Sequence, residues 1–107
     1  MNGALEGLTV IVPTVNECAN ITPLISRIFE QSLDSRPLEV LFVDDGSTDG
    51  TCECVLRAGE TLPVRLLRRE RPAGGLAGAV LEGARVARFG WIVVMDGDLS
   101  HPAGANW

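Results

Sequence analysis

Leu8-Thr9-Val10-Ile11-Val12 is a short, continuous run rich in β-branched residues and closed by Pro13. An unbroken apolar run of this length predicts a strand covered on both faces. Beyond it, Ile21, Leu24, Ile25, Ile28 and Phe29 recur at the spacing of one helix face. Asn20 is expected to cap that helix, with Pro23 in its first turn. Leu38 to Val43 forms a second apolar run, closed by Asp44-Asp45-Gly46-Ser47. Thr48 is expected to cap a second helix, with Asp49 near its positive end and Cys52, Val55 and Leu56 on its inner stripe. Val64 to Leu67 reads as a third strand. Gly74 and Gly75 open a third helix, on which Leu76, Val80, Ala84 and Ala87 repeat. Trp91-Ile92-Val93-Val94-Met95 reads as a fourth strand, and Asp96-Gly97-Asp98 follows at once.

Strand and helix therefore alternate through four strands and three helices. That order predicts an α/β fold with right-handed crossovers and a parallel sheet flanked by helices. With few residues after the fourth strand, its outer edge is expected to be open, a place for self-association or a partner chain.

Ligands of parallel α/β sheets lie beyond the carboxyl ends of the strands, and the polar residues gather there. Asn16 and Glu17 follow strand one, Asp44 and Asp45 strand two, Arg68, Arg69 and Arg71 strand three, and Asp96 and Asp98 strand four. Five carboxylates on one edge (Glu17, Asp44, Asp45, Asp96 and Asp98) repel one another unless hydrogen bonds, a cation or raised pKa values relieve them. A hard divalent cation suits such oxygen donors and leaves positions for phosphate oxygens. Asp96 and Asp98, two apart in an extended segment, share a side, and Gly97 between them allows a close ligand approach. Each piece has a plainer reading. Asp-Asp-Gly-Ser is ordinary turn chemistry, a lone Asp-x-Asp is a weak signal, and glycines on a helix also serve packing against a sheet.

The chain has 107 residues, room for one small domain, and its formal net charge of −5 argues against nucleic acid as a partner. No stretch has the roughly 20 apolar residues of a membrane span, and the start, Met1-Asn2-Gly3-Ala4-Leu5-Glu6, lacks a signal-peptide pattern. A cytoplasmic protein is expected, with peripheral association at the cytoplasmic face of a membrane allowed. The three cysteines, Cys18, Cys52 and Cys54, are an odd set expected to stay reduced, with Cys52 a small core residue.

Taken together, Pro13-Thr14-Val15-Asn16-Glu17, Val43-Asp44-Asp45-Gly46-Ser47-Thr48-Asp49-Gly50-Thr51 and Met95-Asp96-Gly97-Asp98 resemble the family 2 glycosyltransferases. Arg71-Pro72-Ala73-Gly74-Gly75-Leu76 and Asp98-Leu99-Ser100-His101-Pro102 are most similar to the polyprenyl-phosphate (dolichol-phosphate) mannosyltransferases among them. The resemblance implies a GT-A type, Rossmann-like parallel sheet ending after the Asp-x-Asp strand. Residues 1–107 would form the nucleotide-sugar-binding half, with the acceptor half absent. It places Pro13, Val15 and Glu17 along the nucleoside, Val43 and Asp45 at the base, and Arg71 near the donor. Asp96, Gly97 and Asp98 would form the Asp-x-Asp site. Asp96, Asp98 and Ser100 would hold Mg²⁺ or Mn²⁺, with Asp98 the direct ligand and the residue assigned to catalysis. The implied donor is a nucleotide-diphospho-sugar, GDP-mannose favoured, and the implied acceptor a polyprenyl or dolichyl phosphate. Two substitutions depart from the family: Val15 where Tyr is usual, and Gly97 where Ala is usual.

The implied chemistry is an inverting transfer in which the cation stabilises the departing nucleoside diphosphate. A lipid phosphate attacks with an oxygen already ionised and needs no general base, so His101 reads as part of the turn. Two other readings stay open from the sequence. The chain could be a non-catalytic nucleotide-sugar-binding fragment or subunit. Asp96-Gly97-Asp98-Leu99-Ser100 also resembles the first motif of haloacid-dehalogenase-like phosphatases, although that motif normally opens its fold. A dinucleotide-binding Gly-x-Gly-x-x-Gly after strand one and a phosphate-loop Lys are both missing.

Overall fold

Residue alternation along two central strands divides the core into two layers. The computed structural model describes residues 7–31, 36–70 and 73–97. Its elements are β1 (Leu8–Thr14), α1 (Cys18–Glu30), β2 (Leu38–Asp44), α2 (Thr51–Ala58), β3 (Val64–Arg68), α3 (Gly75–Val86) and β4 (Trp91–Val94). All pairings are parallel and the sheet order is β3-β2-β1-β4. Val10 and Val12 of β1 and Val40 and Phe42 of β2 face α1 and α2, where Ile21, Leu24, Ile25, Ile28 and Val55 close the layer. Ile11, Leu41 and Val43 face the opposite way, onto Ala79 of α3. The helices thus cover both faces of the two inner strands, which explains their unbroken apolar runs.

β1 runs through Pro13 instead of ending before it. Leu8 N donates to Pro37 O on the β2 side, whereas Met95 N donates to Ile11 O on the β4 side. Pro13, two residues beyond Ile11, presents its missing N–H on the β4 side, where pairing has already stopped after Val94. Helix α1 begins at Cys18, not after Asn20, so Pro23 lies inside it. The carbonyl that Pro23 leaves without a helical donor belongs to Ala19, an exposed residue that water reaches. Helix α2 begins at Thr51, because Gly50 takes a left-handed conformation at φ 93° that ends the loop there.

Two stripe residues face out. Leu56 is 59% exposed and Leu76 is 68% exposed, while the sheet side of α3 is carried by Ala79 and Gly83. A Cβ on Gly83 would stand 3.1 Å from methyl groups of both Ile11 and Val43. Small residues therefore set how closely α3 approaches the sheet, and its leucines are displaced from that face. β4 is an edge strand with all four residues exposed, as anticipated for the open edge. Among the described residues, no helix is long and apolar enough to cross a membrane.

β3 supplies a feature that the apolar pattern conceals. Arg65, Leu67 and Arg69 alternate on the α3 side of the sheet. Arg65 grips Glu39, a carboxylate only 2% exposed near the start of β2, through Nε–Oε1 at 2.7 Å and Nη2–Oε2 at 3.1 Å. The Thr9 hydroxyl and the Arg88 amide also donate to Glu39, each at 2.7 Å. Arg65 Nη2 further donates to Val86 O at 2.7 Å, satisfying the last carbonyl of α3. Burial opposes ionisation of Glu39, but the donors from Arg65, Arg88 and Thr9 outweigh it and hold the carboxyl below its ordinary range.

Candidate functional site

The strand order places the point where the chain switches direction between β1 and β4, and ligand crevices of doubly wound sheets open at such points. Next to that point, the loops that follow β1 and β2 are laced together at the carboxyl edge. Asn16, the only non-glycine with positive φ among the described residues, turns at φ 53°. Its amide donates to Ser47 Oγ at 2.8 Å, and its side-chain oxygen accepts the Thr48 amide at 2.9 Å. Glu17 N donates to Thr51 Oγ1 at 2.9 Å, and Cys18 N to Asp49 Oδ2 at 3.1 Å. Asp49 also accepts the amide of Thr51 at 3.0 Å, and its hydroxyl as well. One carboxylate therefore caps both α1 and α2 at their positive ends. Asp49, rather than the expected Thr48, performs that task. The Thr51 hydroxyl is the main reason the Asp49 carboxyl titrates below its usual range; burial opposes it, and the Cys18 and Thr51 amides add to it.

The two acids of Asp44-Asp45 have different positions. Asp44 is 1% exposed and accepts the amides of Gly46 at 3.1 Å and Ser47 at 2.9 Å, together with the Ser47 hydroxyl. Burial resists its charge, yet the Ser47 hydroxyl and the two amides prevail and lower its pKa. It closes the turn and is not available to a cation. Asp45 points to the α3 side, where Arg69 Nη1 lies 3.4 Å from its Oδ2. The Arg69 side chain is 1% exposed. It also donates to Ala73 O and Gly75 O, and its Nε stands 2.9 Å from Glu82 Oε2 without hydrogen-bond alignment. A buried guanidinium thus joins the end of β2, the turn before α3 and α3 itself. Asp45 Oδ1 is buried and has no hydrogen-bond partner among the described residues.

Among the described residues, no three His, Cys, Asp or Glu side chains form a group able to hold a metal, and Asp98, the expected direct ligand, lies outside them. Asp44 is occupied by its turn, Asp45 faces Arg69, and Glu17 Oε2 accepts Asn20 Nδ2 at 2.8 Å. Protein donors thus relieve the charge of these three acids. Val43 is fully buried among Ile11, Leu41 and Ala79, so its side chain supports the floor of the site and does not reach a base. Gly97 is also buried, and a Cβ there would meet Thr14 Cγ2 at 3.0 Å and Pro13 O at 3.2 Å. Its missing side chain makes room for β1.

The remaining candidates lie along the rim. Pro13 and Glu17 are half-buried, Val15 is 50% exposed, and Asp96 is exposed at the end of β4. Val15 leaves an aliphatic surface on the rim. Arg71, Asp98, Ser100 and His101 lie outside the described residues. Sequence reasoning overlooked Arg69 as a buried residue. The signal was present in the alternation Arg65-Leu67-Arg69, which puts charge and apolar side chains on one face of a strand.

The model for "Glycosyl transferase family 2" matches residues 9–105. The dolichol-phosphate mannosyltransferase of Pyrococcus furiosus is 40% identical over 95 residues, covering 89% of this chain and 26% of that protein. The enzyme of the same name from Saccharomyces cerevisiae is 40% identical over 97 residues, covering 88% and 36%. The chain thus spans about a quarter to a third of the length of these relatives. Among solved structures, the mannosyltransferase PcManGT of Pyrobaculum calidifontis, in complex with GDP-Man and Mn²⁺, superposes with a TM-score of 0.72 at 40% identity. That match covers 90% of this chain and 28% of that one. A phosphatase reading has no support in these likenesses. The GT-A type sheet, the laced loops at its carboxyl edge and a family match over nearly the whole sequence lead to one assignment: this chain belongs to glycosyl transferase family 2.

Proposed function

We propose that this chain supplies the donor-nucleotide half of a metal-dependent glycosyltransferase, and that the enzyme moves mannose from GDP-mannose to a polyprenyl phosphate. The observation that carries the reading is the pair of loops at residues 15–18 and 45–51, fastened to each other at the carboxyl ends of β1 and β2, beside the point where the sheet changes direction. Such a rim holds a ligand surface in place before the ligand arrives, which reduces the ordering cost of binding. Pro13 and Val15 give the nucleoside an apolar contact, and Glu17 offers its backbone and carboxylate beside it. Asp45 accepts N–H groups of the base. Its carboxylate is partly exposed and held in orientation by Arg69, and guanine presents two adjacent N–H donors on its Watson–Crick edge.

Asp96, Asp98 and Ser100 are the residues assigned to the cation, Mg²⁺ or Mn²⁺, with Arg71 near the donor phosphates. Oxygen donors on a short acidic segment suit a hard ion that completes its shell with phosphate oxygens and water. When bound, the ion supplies Lewis-acid stabilisation to the departing diphosphate. The chain's own residues hold the nucleoside and fix the orientation of the diphosphate, and a lipid phosphate oxygen then needs no base from the protein. Mannose and the lipid-phosphate acceptor follow the names of the relatives, and a lipid acceptor would bring the enzyme to a membrane surface.

GDP-mannose titrated calorimetrically with Mn²⁺ present should bind at least about tenfold more tightly than with chelator, a difference of about 1.4 kcal/mol. Asp98→Ala should abolish that difference and leave the affinity in chelator unchanged. Equal affinities for the unmodified chain in the two titrations would refute the metal-bridged site.

A further inference from the structure

Cys18 is the first residue of α1, and Cys54 lies one turn into α2. Their sulfur atoms are 3.2 Å apart although 36 positions separate them in sequence. Forming a bond at the usual disulfide length would bring the sulfurs together by only about 1.2 Å. Both side chains are partly exposed, so a small oxidant reaches them, while Cys52 is buried at 7% exposure. The neighbouring backbone is already fixed. Cys18 N is bonded to Asp49 Oδ2, and Cys54 N donates to Gly50 O at 3.1 Å. A Cβ on Gly50 would stand 3.7 Å from Cys18 Sγ, so the thiol pair sits directly behind the loop at 45–50.

We propose that Cys18 and Cys54 are a disulfide site, an oxidisable staple that joins α1 to α2 immediately behind the two laced loops. The co-reactant is a low-molecular-weight disulfide such as glutathione disulfide. One cysteine thiolate attacks a sulfur of that disulfide and expels one small thiolate, leaving a mixed disulfide on the protein. The second cysteine thiolate attacks the protein sulfur of the mixed disulfide. The Sγ–Sγ bond forms and the other small thiolate leaves. Two protein thiols lose two electrons and two protons, and the small disulfide becomes two small thiols. The hydrogen bond with Cys54 is the main reason the Cys18 thiol titrates above its ordinary range, and burial and the Asp49 and Glu53 charges add to it. A mildly alkaline reaction mixture, about pH 8.5, supplies the thiolate that exchange requires.

The test is to incubate the chain with glutathione disulfide, count its thiols, map the linkage by peptide mass spectrometry and record thermal melts. Of the three thiols, two should disappear, linked as Cys18–Cys54 in a monomer. Closing a loop of this length should raise the melting temperature by at least about 10 °C, reversibly on adding a dithiol reductant. Cys18→Ser and Cys54→Ser should each remove both the linkage and the rise, while Cys52→Ala should keep both. Persistent mixed disulfides with glutathione, linkage through Cys52, covalent dimers, or a linked monomer melting no higher than the reduced chain would each overturn the proposal.

Discussion

Glu39→Ala is expected to cost the fold about 3 kcal/mol, near the lower end of what breaking a buried ion pair costs. The carboxylate is 2% exposed and accepts hydrogen bonds from Arg65, Thr9 and the Arg88 amide. Alanine leaves all of those donors without their acceptor and opens a cavity between β2 and α3. Arg65, at 28% side-chain exposure, can turn part of its charge to water, which keeps the loss from being larger. Since small domains hold only about 5–15 kcal/mol in total, the variant should melt roughly 12–24 °C lower, at about 4–8 °C per kcal/mol. Glu39→Gln keeps the volume and one acceptor and should lose about half as much.

The same pair of proteins tests the pH dependence. Glu39 has a folded pKa below its unfolded value, so its contribution is complete above the ordinary carboxylate range and disappears as pH falls through the lowered value. Asp44 and Asp49 are shifted in the same direction. The unmodified chain should therefore lose stability between neutral pH and about pH 3. Glu39→Gln should lose it less steeply, keeping the part that belongs to the two aspartates. Denaturant melts across that range measure both slopes, and parallel slopes would contradict the role given to Glu39.

Arg69→Ala should affect stability and the proposed site together. The guanidinium is almost wholly buried and contacts Asp45, Ala73 O, Gly75 O and Glu82. Removing it strands the carboxylate of Asp45 and two carbonyls of the turn that starts α3, at a cost of about 2–4 kcal/mol. Asp45 then loses the contact that orients it, and GDP affinity measured well below the melting transition should fall more than about tenfold, or 1.4 kcal/mol. Arg69→Lys keeps the charge without the planar fork, so it should restore part of the stability and little of the affinity. A variant Arg69→Ala that melts like the unmodified chain would show that this buried hub carries no energy.

Much of this arrangement was legible in the chain because apolar periodicity reports burial directly. Ile21, Leu24, Ile25 and Ile28 of α1 are all buried, and β1 and β2 are covered on both faces as their unbroken runs predicted. The polar residues do collect at the carboxyl edge, since a parallel sheet puts every strand end on one side. Details that depend on tertiary partners were not legible. The caps of α1 and α2 come from Asp49 because two loops meet, which spacing along one helix does not reveal. Leu76 faces out because the sheet side of α3 is selected by the close approach of Gly83, not by the larger residue. Glu39 sits inside an apolar run, and donors from three other segments, Arg65, Thr9 and Arg88, make its burial tolerable. At the edge itself, the position of five acids along the sequence did not reveal the protein partners that engage Glu17, Asp44 and Asp45.

Amide chemical-shift mapping with GDP tests the central claim most directly, because it finds the nucleotide without assuming which side chain binds it. The predicted perturbations fall on Val15 to Cys18, on Asp45 to Thr48 and on Asp96 and Gly97, the rim at the direction change of the sheet. Perturbations confined to the apolar groove of about 510 Å³ lined by Leu8, Val10, Ile28, Leu38, Trp91 and Val93, with the rim unmoved, would contradict it.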